Sequence, residues 1–80
     1  VLSEAQFDAM AVWLQEVEGI TPTTEEIVAS VKPLDHYIES WGEPQAREQL
    51  GDGSPLLIWR GPGYGFWIAE FGDARGAAVF

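Results

Sequence analysis

Leu56-Leu57-Ile58-Trp59-Arg60 and Phe66-Trp67-Ile68-Ala69-Glu70-Phe71, joined by Gly61-Pro62-Gly63-Tyr64-Gly65, are the stretch on which the fold turns. Both runs are rich in branched and aromatic residues, which suit a pleated, half-buried surface. The five-residue, glycine-rich link fits a hairpin loop. Pairing Arg60 with Phe66 sets Trp59 opposite Trp67, with Leu57 and Ala69 on the same side. The other side then carries Leu56, Ile58, Phe66 and Ile68. A slip of one residue exchanges the two sets, and the loop composition leaves both registers open. In either register both faces are apolar. A sheet of two or three strands packed on helices normally covers one face. The second face therefore needs a helix of the same chain or a partner.

Downstream of the hairpin, Gly72-Asp73-Ala74-Arg75-Gly76 reads as a turn and Ala77-Ala78-Val79-Phe80 as a short third strand. Upstream, the periodicity is helical. Ser3 with Gln6 forms a capping box, and Leu2 with Phe7 a hydrophobic staple. Phe7, Met10, Ala11, Leu14 and Val17 follow on one stripe, and Gly19 fits the stop, so a helix is expected over 3–18. Thr23 with Glu26 reads as a second capping box, opening a helix over 23–32 whose apolar edge is Ile27, Val28 and Val31. Pro33 ends that helix and suits the first turn of another, 33–41, with Leu34, Tyr37, Ile38 and Trp41 in register. Trp41 closes this stripe and is expected in the core. A short fourth helix or turn is expected over 44–50, followed by the loop Asp52-Gly53-Ser54-Pro55. The sequence predicts one α+β domain, 1–80, helical over 1–50 and a two- or three-stranded antiparallel meander over 55–80.

The 80 residues hold 13 acids against 4 bases, a net charge of −9, with no cysteine. A disulfide scaffold and a zinc-thiolate site are excluded. Four tryptophans argue against a disordered acidic tail. No apolar run approaches the ~20 residues of a membrane span, so neither a span nor a leader is expected, and a cytoplasmic location is. Glu4, Asp8, Glu16, Glu18, Glu25, Glu26, Asp35, Glu39 and Glu43 face a single base, Lys32, over residues 1–43. Residues 44–80 are nearly balanced. An acidic field of this kind repels nucleic acid and steers basic partners. Spaced carboxylates can also occupy a groove built for phosphates.

No catalytic or metal constellation stands out. His36, the only histidine, follows Asp35 and shares one exposed helix face with Glu39 and Ser40, without a nucleophile elbow or an oxyanion loop. Glu25-Glu26 and Glu16-x-Glu18 lack calcium-loop spacing, and one histidine without cysteine cannot close a transition-metal site. Gly61-x-Gly63-x-Gly65 is followed by no helix that could hold a phosphate. No enzyme activity, cofactor or metal is expected.

Three helices followed by a hairpin resemble the winged-helix architecture, with 23–32 and 33–41 as the helix-turn-helix pair and 56–71 as the wing. Asp35, His36 and Glu39 stand where a DNA-reading helix carries bases, so the resemblance implies a regulatory or assembly module that binds protein, or dimerises through the hairpin. In size and charge the chain is also similar in type to small acidic inhibitors: anti-CRISPR and antirestriction proteins, nuclease immunity proteins and antitoxins. The leading expectation is a non-enzymatic inhibitor that binds a basic, nucleic-acid-handling protein stoichiometrically, with no direct nucleic-acid or membrane contact. Trp59, Trp67, Tyr64, Phe66 and Arg60 are the expected anchors. Glu16, Glu18, Glu25, Glu26, Asp35 and Glu39 are the expected acidic contacts.

Overall fold

The computed structural model describes residues 2–30 and 32–80. Helix α1, Glu4–Trp13, starts at the expected capping box. Ser3 Oγ accepts the Gln6 N–H at 3.1 Å, and Gln6 Oε1 accepts the Ser3 N–H at 3.0 Å. A wider π-helical turn, Leu14–Glu18, continues it to Gly19, which stops the helix at φ 73°. The π turn changes which side chain faces inward. Val17, expected on the buried stripe, is 60% exposed, and Glu18 turns toward the sheet instead.

The next two expected helices are corrected in part. Only one turn forms after Thr23, whose N–H donates to Glu26 Oε1 at 2.7 Å. Strand β1, Ile27–Ala29, follows at once. Branched residues with Ile27 buried and Val28 exposed alternate as a strand does, and pairing with the chain's C-terminal strand outweighs the cap. Val31, expected on the apolar edge of this helix, lies outside the described residues. The helix expected over 33–41 does form, as α2, Leu34–Trp41. The fourth helix does not: Ala46–Gln49 is strand β2. Its Ala-Arg-Glu-Gln sequence favours a helix when alone. It is held extended by pairing along β3, Pro55–Gly61.

Strands β4, Tyr64–Phe71, and β5, Ala74–Val79, complete one antiparallel sheet of five strands in the order β1-β5-β4-β3-β2. The class is therefore α+β, but among the described residues it has two α-helices and five strands, with α2 inserted between β1 and β2. The expected two- or three-stranded meander is too small, and the described residues form no helix-turn-helix pair to support a winged-helix topology, since β1 stands where the first of its helices is expected. The hairpin adopts the other register: Trp59 pairs with Phe66, Ile58 with Trp67 and Gly61 with Tyr64. The loop is only Pro62-Gly63. Proline fixes a negative φ and Gly63 takes φ 76°, as a type II turn requires.

Alternation along the strands then sorts two cores. Leu56, Ile58, Trp67, Ala69, Phe71 and Ala78 pack with Met10 and Leu14 of the first helix. Leu57, Trp59, Ile68 and Ala77 pack on the opposite face with Tyr37 of α2. Both faces are covered from within the chain, but unequally. The eight residues of α2 rise about 12 Å, whereas five strands span about 19 Å. Val28, Tyr64 and Val79 on that face stay more than half exposed. Among the described residues no helix is long and apolar enough to cross a membrane.

Candidate functional site

The uncovered end of the α2 face is a cleft of about 490 Å³ lined by Trp41, Glu43, Gln45, Trp59, Arg60, Tyr64, Phe66 and Val79. Trp41 is its hub. Its ring centroid lies 4.1 Å from Phe66, 5.0 Å from Tyr37 and 5.5 Å from Trp59, the last edge to face at 76°. Trp41 sits on the last turn of α2, where the helix runs out over the sheet. It is 42% exposed, so its expected place in the core is corrected. The apolar spacing located its face of the helix correctly. It could not say that the helix ends before that face is covered.

Gly42 ends α2 at φ 80°, and its carbonyl accepts the Trp59 indole N–H at 3.0 Å. Gln45 ties the following segment to the same strand: its N–H donates to the Ile58 carbonyl at 2.8 Å, and its Oε1 accepts the Arg60 N–H at 2.6 Å. On the other wall, the Tyr64 ring lies over Gly61, so close that a Cβ there would overlap it. Glu43 stands on the rim, paired at 3.1 Å with Arg47, both side chains largely exposed.

The expected anchors divide between this cleft and the interior. Tyr64 and Phe66 line the cleft, Tyr64 55% exposed and Phe66 half-buried. Trp59 forms the floor, 7% exposed, and Trp67 is 2% exposed in the core beneath α1. Arg60 also lines the cleft, but its guanidinium lies on the α1 side, 5.9 Å from the centre of the Trp67 ring. There Glu18 Oε2 accepts both Arg60 Nη2 at 2.5 Å and the Trp67 indole N–H at 3.0 Å. The Glu18 side chain is 15% exposed. Glu18, Arg60 and Trp67 are thus brought together as an internal network that ties the first helix to β3 and β4.

The remaining expected acids are dispersed. Glu16 is exposed on the first helix, Glu25 and Glu26 on the turn before β1, and Asp35 and Glu39 on α2, on the other side of the sheet. All three arginines are paired, with Glu43, Glu18 and Glu70. The other ten acids have no cationic side chain against them among the described residues. His36 is exposed and packs edge-on against Tyr37 at 5.4 Å. Among the described residues no three His, Asp or Glu side chains are grouped to hold a metal ion. Sequence reasoning missed Trp41, Glu43, Gln45 and Val79 as cleft residues. Trp41 beside the helix stop at Gly42 was the available signal for the cleft.

The hairpin expected to support a dimer has no free edge, since β3 is paired with β2 and β4 with β5. Only its Pro62-Gly63 tip is free. No family model, curated protein or solved structure matches the chain.

Proposed function

We propose that this chain is a non-enzymatic inhibitor that binds a basic, nucleic-acid-handling protein stoichiometrically in the cytoplasm. The observation that carries the reading is the cleft of Trp41, Tyr64, Phe66 and Val79, solvent-facing aromatic and aliphatic groups held on a rigid sheet. Aromatic anchors fixed in place and bordered by polar side chains are the usual pattern of a binding hot spot. The excess of unpaired acids supports a basic partner, since it accelerates encounter with positive surfaces and disfavours nucleic acid. The site of attachment differs from the sequence-based expectation. Tyr64 and Phe66 keep their role, Trp41 and Val79 join them, and Trp59 and Trp67 serve by holding the surface in shape. Glu16, Glu25, Glu26, Asp35 and Glu39 steer the partner over distance, because no single surface gathers them.

Affinity capture from nuclease-treated lysate with a salt ramp tests the proposal, run in parallel with wild-type protein and Tyr64→Ala. A basic protein retained at low salt, released by salt and lost with Tyr64→Ala supports it. Capture that requires intact nucleic acid, or that is indifferent to Tyr64, contradicts it.

A further inference from the structure

We infer that the cleft takes a guanidinium, an arginine side chain of the partner, stacked between Tyr64 and the Trp41–Phe66 pair with Glu43 as its counter-ion. The inference rests on the proposed binding function and names the group that the site selects.

The walls come first. Tyr64 and Phe66 leave β4 on the same side, yet the Tyr64 ring is drawn over Gly61 and meets no other aromatic ring among the described residues. Trp41 and Phe66 pack on one another at 4.1 Å. Tyr64 and the Trp41–Phe66 pair line the same cleft. Flat aromatic faces attract a cation through their negative π surface, and the planar guanidinium stacks on them better than an ammonium does.

The charges point the same way. Glu43 and Arg60 are the two charged residues of the lining, and the Arg60 guanidinium is engaged by Glu18 on the opposite face of the sheet. Glu43 is therefore the one charge presented to an occupant. Its present partner, Arg47, is a solvent-exposed neighbour four residues along, and an exposed pair of this kind exchanges easily. The Gln45 amide oxygen, already accepting one N–H, has a second lone pair for the guanidinium fork. An acidic occupant would meet Glu43, and an apolar one would leave the carboxylate unused.

Titration with N-acetylated hexa-arginine amide, followed by tryptophan fluorescence at low salt, tests the inference without the natural partner. Trp41→Ala loosens α2, so Tyr64→Ala and Glu43→Gln are the informative variants. Each is expected to weaken binding about fivefold or more. Arg47→Ala frees Glu43 and is expected to tighten binding. Asp8→Asn, which removes one charge from the far side of the molecule, is expected to leave it unchanged. Equal weakening by Asp8→Asn and Glu43→Gln would overturn the cleft assignment while leaving an acidic binding protein intact. Hexa-lysine binding as tightly, with the same variant pattern, would overturn the guanidinium assignment. Failure of wild-type protein to bind hexa-arginine at all would remove both this inference and the reading beneath it.

Discussion

Trp59 donates its indole N–H to the carbonyl of Gly42 at 3.0 Å, which pins the end of α2 to the middle of β3. Trp41, the residue before Gly42, stands 42% exposed at this pinned end. The surface offered to a partner and the residue that stabilises it are thus adjacent but distinct. Trp59→Ala is expected to cost about 3–5 kcal/mol, the usual loss for a buried large aromatic. Tyr64→Ala, at a side chain 55% exposed, is expected to stay within about 0.5 kcal/mol. Urea denaturation of the two variants separates these roles. Equal losses would mean that the cleft wall is part of the core.

Glu18 occupies the corresponding position on the other face. Its carboxylate is shared between Arg60 and the Trp67 indole, and the π-helical turn is what aims it there. Glu18→Ala leaves the Trp67 N–H without its acceptor, for an expected loss of about 1–3 kcal/mol. Glu18→Gln keeps an acceptor and removes only the charge, so its loss is expected to be smaller. Thermal and urea unfolding check the order. An equal loss for Glu18→Gln and Glu18→Ala would place the stabilisation in the ion pair with the half-exposed Arg60.

Two glycines probe the packing under the sheet. A Cβ at Gly65 would meet the rigid Trp67 ring, whereas one at Gly76 would meet the flexible Met10 Sδ at 2.5 Å. Overpacking against a fixed aromatic costs about 1–3 kcal/mol, and a methionine can swing aside more cheaply. Gly65→Ala is expected to lower the melting temperature more than Gly76→Ala. The reverse order would show that Met10 is the more tightly held of the two.

Net charge makes its own prediction. Ten acids lack a cationic neighbour among the described residues, and their mutual repulsion opposes the compact state. Added salt screens exposed charges beyond about 10 Å at 0.1 M, so the melting temperature is expected to rise from low to physiological salt. A fall would mean that the three ion pairs outweigh the repulsion.

The elements readable in the sequence are those whose signals are local. The first helix carries its own cap, staple and stop, and α2 its own stripe and glycine. Strands β1 and β2 were not readable, because Thr23 with Glu26 and the Ala46–Gln49 segment both favour helix in isolation. Only pairing with β5 and β3, distant in sequence, makes them extended. That pairing also enlarges the sheet, so a second helix is needed and yet falls short of covering it. The register of the hairpin followed from the Pro62-Gly63 turn, whose tightness was hidden within a longer glycine-rich stretch. Tyr64 and Phe66 were visible as candidates from their place beside that turn. Trp41 was not, because periodicity tells which side of a helix is apolar and says nothing of how far the opposing sheet extends.

The most direct measurement is the dissociation rate of the captured basic partner from wild-type protein and from Tyr64→Ala, at one fixed salt concentration. If the aromatic cleft is the anchor, Tyr64→Ala dissociates roughly tenfold faster or more while its association rate barely changes. Identical dissociation rates, with Tyr64→Ala still folded, would contradict the cleft as the binding surface and leave only the dispersed acids to account for capture.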